Sequence, residues 1–366
     1  MADLRIEQLL RAMVENKASD LHIRTGVPPI YRINGSLVKL FDTRVDANMM
    51  DSFLDDIMNR DQKNRFEQNK ECDFAVGARD MGRFRVNVFR QRGTIAVVIR
   101  HIKARIPAFE ELHLPEVIRD MALSRRGLVL VTGTTGSGKS TTLASMLDYI
   151  NHKEAVNIIT VEDPIEYLYR DEKAIISQRE IGVDTLSYAN ALRAALRQDP
   201  DVLLVGEIRD LETMQIALTA ADTGHMVFAT IHTTNATETI QRVLSMYPPH
   251  QHDEIRLLLA EVLAGIISLR LLPTADGQGR VPAAEVLVNT AAIKEYIRDK
   301  DKLEMVEHAI AEGHMQYHSQ TFDQALLSLY QSGQISLETA MNAATNKDDF
   351  DLKIRGISGT SDRGWM

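Results

Sequence analysis

A single cysteine, Cys72, in a chain of 366 residues leaves no partner for an internal disulfide and excludes a cysteine-rich zinc site. No apolar run reaches the about 18 residues that a membrane-spanning helix needs. The opening Met-Ala-Asp-Leu-Arg lacks the apolar region of a secretory leader. Positive charge is also scarce. Forty-two Lys and Arg stand against 51 Asp and Glu, a net charge of −9, which disfavours general nucleic-acid binding while leaving room for a local basic groove. Internal repeats and low-complexity segments are missing too. These absences point to a cytoplasmic protein. Hydrophobic residues make up 44% of the chain, enough core for more than one globular domain.

What is present centres on Gly133-Thr134-Thr135-Gly136-Ser137-Gly138-Lys139-Ser140. A buried-strand pattern, Leu128 to Thr132, precedes it, and a helical pattern beginning at Thr141 follows. Strand, glycine-rich turn and helix in that order form the P-loop arrangement. Successive backbone N–H groups curl inward to hold phosphate oxygens, and the helix N-terminus adds partial positive charge. Lys139 supplies a point charge for the β- and γ-phosphates, and the Ser140 hydroxyl is a candidate Mg²⁺ ligand. The expected cofactors are therefore ATP and Mg²⁺.

Further along, apolar strands alternate with helices. Ala155–Val161 ends in Glu162-Asp163, Asp201–Val205 ends in Gly206-Glu207, and His225–Ile231 ends in His232-Thr233-Thr234. Helices are expected over Leu186–Arg197, Leu211–Asp222 and onward from Asn235. Continuous apolar strands of this kind imply a parallel sheet covered on both faces, with chemistry gathered at the carboxyl ends of the strands. Glu162 or Glu207 is then the group that orients or deprotonates water, and the sequence does not separate them. His232 is placed to contact the γ-phosphate or relay its presence. Asp201 opens its strand and reads as structural. Arg193, Arg197 and Arg209 are available to pair with carboxylates or with a neighbour's nucleotide.

The first hundred residues read as a small α+β domain. Leu4–Val14 is amphipathic and Asp46–Glu67 is expected as one helix. Asn34-Gly35 between alternating segments signals a hairpin. In Arg83-Phe84-Arg85-Val86-Asn87-Val88, alternation sets Arg83, Arg85 and Asn87 on one face, and Arg100 ends the next strand. These arginines form either a solvated outer face or an anion-binding surface. Two prolines break periodicity at residues 107–116, an expected linker. Towards the C-terminus, Gln251–Ser268 is read as a helix with an apolar face. Asp276–Gly279 marks a hairpin, and helices are expected near Ala291–Asp299, Lys302–Glu312, Phe322–Ser332 and Leu337–Thr345. The residues after Ile354 read as a frayed tail.

Together these stretches resemble the type IV pilus retraction ATPases of the type II/IV secretion ATPase family. Ala18-Ser-Asp-Leu-His22, Gly82–Asn87, the P-loop, Val161–Glu166, Arg197–Glu207 and Thr223–Thr234 carry the resemblance, the last three as aspartate box, Walker B variant and histidine box. It implies an α/β fold with a PAS-like N-terminal α+β domain (1–106), a linker (107–116), a RecA-like P-loop ATPase core (117–290), a C-terminal helical region (291–354) and a flexible tail (355–366). It implies a homohexamer in which Arg85 and Arg100 approach the phosphates, Lys139, Glu162, Glu207 and His232 act with them, and Gly133 to Thr141 cradle the nucleotide. It further implies ATP-driven pilus retraction and twitching motility, through a platform protein at the cytoplasmic face of the inner membrane. Gly206 stands where a Walker B aspartate usually stands, as in the family, which shifts Mg²⁺ binding onto Ser140 and bridging waters. The chain opens at the PAS-like region and lacks the four-cysteine zinc site of assembly ATPases, which favours retraction. The helix Ala292–Asp299 departs from the retraction pattern at Lys294, Glu295 and Tyr296, so an accessory retraction motor stays open. The alternatives are a pilus assembly or type II secretion ATPase and a RecA-like nucleic-acid motor.

Overall fold

Strict alternation builds the first sheet. In the computed structural model, which describes residues 4–33, 35–102 and 105–355, Phe84, Val86 and Val88 are fully buried while Arg85 between them is exposed. The chain divides into two units. One runs up to Arg105 and includes Glu166–Leu168; the other runs from Ile106 to Ile165 and from Tyr169 onward.

The first unit holds α1 (Ile6–Glu15), β1 (Asp20–Arg24), β2 (Ile30–Ile33), β3 (Ser36–Lys39), α2 (Ala47–Ile57), α3 (Arg60–Asn69), β4 (Glu71–Ala78), β5 (Gly82–Gln91) and β6 (Thr94–Ile102). The strands form one antiparallel sheet in the order β3-β2-β1-β6-β5-β4. Its apolar face packs Leu21, Ile23, Tyr31, Phe84 and Ile99 against Leu9 and Met13 of α1 and Phe53 of α2. This is the PAS-like α+β arrangement. The expected hairpin joins β2 to β3, with Ile33 opposite Ser36; Asn34 lies outside the described residues. The single helix expected over Asp46–Glu67 is two. Met58 is extended, and Asn59 caps α3 by accepting from Gln62 N at 2.9 Å while the Gln62 side chain accepts from Asn59 N at 2.8 Å. That reciprocal pair is a capping box and starts a new helix.

The second unit opens with a 3₁₀ turn, Phe109–Leu112, followed by α4 (Val117–Ala122), β7 (Gly127–Thr132), α5 (Lys139–Lys153), β8 (Asn157–Glu162), β9 (Ile175–Glu180), α6 (Tyr188–Ala195), β10 (Val202–Val205), α7 (Leu211–Asp222), β11 (Met226–Ile231), α8 (Ala236–Ser245), α9 (His252–Val262), β12 (Leu263–Pro273) and β13 (Arg280–Val288). Helices α10 (Ala291–Arg298), α11 (Met305–Glu312), α12 (His314–Tyr317), α13 (Phe322–Gln331), α14 (Leu337–Ala343) and α15 (Lys347–Ile354) complete it. The sheet order is β13-β12-β7-β11-β10-β8-β9, parallel from β12 to β9 with β13 antiparallel at one edge. Every residue of β7, β10 and β11 is buried, as a sheet covered on both faces requires. The arrangement is RecA-like.

Three sequence expectations are corrected here. Leu263–Ser268 is strand, not helix, because the run Leu263–Ile267 is continuously apolar and fills the slot beside central β7. Helix α6 ends at Ala195, so Arg197 lies beyond it. Residues 107–116 pack into the second unit, where Phe109 and Leu114 join the core under α5. The tail from residue 356 lies outside the described residues.

One buried acid stands out in this core. Glu285 of β13 is 5% exposed. Burial pushes its pKa up to about 7 from an ordinary 4.5, against the opposing pull of the Ala236 N–H, Ser268 and Arg270; Glu307 adds to the rise. Between those two pH values the native carboxyl keeps its proton while the unfolded chain has lost it. Stability therefore falls as pH rises through that window and levels off above about 7. Glu285→Gln is expected to gain stability relative to wild type across the window, by about 3 kcal/mol at most. A difference in denaturation midpoint that does not change between pH 5 and pH 8 would contradict the burial argument.

Candidate nucleotide site

The turn between β7 and α5 is shaped by close approach. Gly133 has φ +135°, and a Cβ there would lie 2.5 Å from both Leu269 O and Ser137 Oγ, so only glycine fits. Thr134, Thr135 and Gly136 are exposed along the loop, Ser137 is buried, and Gly138 is half-buried. Lys139 is 9% exposed, and its Nζ donates to Gly133 O at 2.8 Å and Thr134 O at 3.0 Å. This folds the ammonium back over the loop. Ser140 and Thr141 sit half-exposed in the first turn of α5, which no side chain caps. The buried Ser137 hydroxyl has no hydrogen-bond partner among the described residues. An uncapped helix end, a lysine and a partnerless hydroxyl around one turn suit a polyphosphate.

Parallel register brings the other candidates to the same edge. Thr132 stands opposite Ile231, while Val205 stands opposite both Ala229 and Val161. The P-loop, His232, Glu207 and Glu162 thus leave neighbouring strands on one side. Glu162, 9% exposed, accepts from Thr160 Oγ1 at 2.7 Å and from Gln178 Nε2 at 3.1 Å. Glu207 accepts from Arg209 Nη2 at 2.6 Å and lies 3.2 Å from His232 Nε2. Burial alone would raise the Glu207 pKa, but Arg209, His232 and Lys139 outweigh it and hold the carboxyl below its ordinary value. Glu207 is therefore an ionised carboxylate at neutral pH.

Gly206 has a packing reason. Its N–H donates to Val161 O at 2.7 Å. A Cβ would meet the Tyr188 hydroxyl at 3.0 Å, and Glu162 Cα and Val161 O at 3.1 Å. Two of those atoms are backbone and cannot yield. Tyr188, which sequence reasoning passed over, opens α6. Its pKa is pushed up by burial and then by Asp163, Glu207 and Glu162. No spacing rule marks a tyrosine at a helix start, so only the fold reveals it. Asp201 accepts from Asn157 N at 2.8 Å, and Arg193 pairs with Glu212. Lys294 and Arg298 of α10 pair with Glu261 of α9.

Beside the P-loop, Ser137, Thr141 and Thr142 open onto a cavity of about 620 Å³, also lined by Leu112, Leu271 and Asp276. In the first unit, Arg85 of β5 stands directly opposite Arg100 of β6, and Arg100 opposite Asp20 of β1. Arg100 Nε donates to Asp20 Oδ1 at 2.9 Å. Arg85 has no partner among the described residues, and Arg83 is half-buried.

The family described as type II/IV secretion system protein matches residues 3–341. The chain belongs to that family. It is 41% identical to the type IV pilus ATPase PilU of Pseudomonas aeruginosa, over 96% of this chain and 92% of that one. It is 43% identical to the type IV pilus retraction ATPase PilT of the same organism, over 94% and 99%. A crystal structure of the pilus retraction motor PilT with bound ADP superposes with a TM-score of 0.89 at 46% identity, covering 94% of this chain and 98% of that one. The ATPase DotB of Legionella pneumophila follows the same fold at 28% identity, TM-score 0.76, over 96% and 95%. Among the described residues no helix is long and apolar enough to cross a membrane.

The close packing at Gly206 yields a prediction. Gly206→Asp, which writes in the usual Walker B acid, is expected to destabilise the protein by about 1–3 kcal/mol and to lower turnover. Chemical denaturation and a phosphate-release assay check both. Wild-type stability with raised turnover would mean the position is free to carry a carboxylate.

Proposed function

We propose that this chain is an ATPase that hydrolyses ATP to power type IV pilus retraction, and so twitching motility. The observation that carries the reading is the common edge of β7, β11, β10 and β8, where Lys139, His232, Glu207 and Glu162 converge. The likeness to a retraction motor over 94% of the chain supports the cellular role.

Roles follow from charge and position. The backbone amides of Gly133 to Thr141 and the Lys139 ammonium hold the β- and γ-phosphates, and the nucleoside end lies in the cavity beside Ser137 and Thr141. Mg²⁺, when bound, would neutralise charge on the phosphate oxygens. The Ser140 hydroxyl is the protein group that would hold it, since Gly206 brings no carboxylate there. Glu207, kept ionised, orients the attacking water and accepts its proton. His232 holds Glu207 and reports the γ-phosphate, and Glu162 supplies second-sphere negative charge. Arg85 and Arg100 stabilise charge developing on the transferring phosphoryl group. The assembly is a homohexamer. It works on a platform protein at the cytoplasmic face of the inner membrane and binds no nucleic acid.

Deleting the gene is expected to leave cells with pili that fail to retract. Complementation with Lys139→Ala should not restore twitching, and the purified variant should release no phosphate above background. Bald cells would instead mark an assembly ATPase, and normal hydrolysis by the folded variant would remove the P-loop assignment. Separately, Arg85→Ala and Arg100→Ala should each lower kcat with little change in nucleotide affinity, by up to the roughly 10³–10⁵-fold that an arginine on the phosphoryl group contributes. Unchanged kcat would take them out of the site.

A further inference from the structure

The roles above leave Glu285 unused, although burying a carboxyl is costly. Its surroundings form a polar seam. Glu285 of β13 stands opposite Ser268 of β12, Ser268 opposite Thr132 of β7, and Thr132 opposite Ile231 of β11. In-register neighbours point to one face. Three buried polar side chains therefore run across the sheet to the strand that leads into the P-loop and the strand that leads into His232. Ser268 and Thr132 have no solvent exposure, and the Thr132 hydroxyl has no hydrogen-bond partner among the described residues.

Glu285 does not merely sit in this seam. Its Oε1 accepts from Ala236 N at 2.7 Å and from Ser268 Oγ at 3.3 Å. Ala236 is the first residue of α8, directly after the Asn235 cap. The chain between Ile231 and Ala236 is His232-Thr233-Thr234-Asn235. One end of that segment is fastened by β11, and Glu285 clasps the other end from below. Inside the segment, Thr234 N donates to Glu238 Oε2 at 2.7 Å and Thr233 Oγ1 lies 2.7 Å from Thr239 Oγ1. Those contacts tie it to α8 itself, not to the sheet. Glu285 thus hydrogen-bonds the start of α8 to the sheet. His232 is the member of the segment that meets Glu207.

We propose that Glu285 is a positioning residue for hydrolysis: by accepting from Ala236 N it holds the His232–Asn235 segment so that His232 stays in reach of Glu207. The inference rests on the reading that His232 and Glu207 act in turnover. The requirement is for an acceptor oxygen at that reach, not for negative charge. The charged groups that face the carboxyl from neighbouring elements are Arg270 of β12 and Glu307 of α11. They are of opposite sign and act on the carboxyl in opposing directions.

The test compares steady-state turnover of the full-length protein with three replacements. Glu285→Gln keeps the acceptor, Glu285→Met keeps the bulk without it, and Glu285→Asp keeps the carboxyl group but withdraws the oxygen by one methylene. Gln should retain turnover. Met and Asp should lower kcat by up to about 10²-fold, as for misplaced catalytic groups, with KM little changed. If Met fails to fold, the order of Gln above Asp still decides. The reverse order, Asp active and Gln inactive, would overturn the proposal in favour of a charge or proton role. Each replacement is also made in a His232→Ala background. Glu285→Asp should then add little further loss, since both changes act through one group. The same fold loss in both backgrounds would overturn the link to His232. His232→Ala with wild-type kcat would instead break the underlying reading of the site, and the two failures are told apart by that single variant.

Discussion

A parallel sheet cannot scatter its strand ends. Once Thr132 is opposite Ile231, and Val205 opposite Ala229 and Val161, the residues that follow each strand must emerge side by side on one edge. Hydrogen bonds of the ladder fix that register, and burial of both faces locks it, because a slip by one residue would turn every side chain to the wrong layer. The apolar strands are thus more than scaffolding. Their pairing makes neighbours of a lysine, a histidine and two glutamates that are far apart in the chain. The roles proposed for Lys139, His232, Glu207 and Glu162 follow from this adjacency.

The edge is also an electrostatic balance. Two carboxylates on adjacent strand ends would repel if both were bare. The structure treats them differently. Glu162 is sunk and held by a threonine and a glutamine, whereas Glu207 faces Arg209, His232 and the field of Lys139. The hydrogen bonds to the first include neutral donors, and the second meets cations. Environment thereby separates two side chains that the sequence presents as equals.

A second balance lies in the first unit. Arg85 and Arg100 are directly opposite on antiparallel strands, an arrangement that is unfavourable for like charges. Buried Asp20, itself accepting from Ser19 Oγ at 2.8 Å, compensates Arg100 from the next strand. Burial opposes ionisation of Asp20, but Ser19 and Arg100 outweigh it and hold its pKa below the ordinary value. Arg85 is left without such a carboxylate. The face therefore carries an exposed Arg85 beside an Arg100 that Asp20 orients.

Much of this was legible from residue order. The P-loop, the alternation of β5 and the strand-helix rhythm after residue 127 all depend on local spacing, and local spacing is what a sequence displays. Helix α7 begins and ends where its pattern does, at Leu211 and Asp222. The helix expected through Ser268 gives way to strand because the apolar run Leu263–Ile267 has no period to distinguish helix from strand. Its place beside β7 decided the matter. The division of labour between Glu162 and Glu207, the reason Gly206 is glycine, the presence of Tyr188 at the edge and the clasp of Glu285 on Ala236 were not readable at all. Each depends on contacts between segments distant in the chain. The sequence by itself determined which chemical groups the protein carries and in what local geometry. Only tertiary structure decided which of them meet and what charge each feels there, because burial and register are properties of the packed sheet.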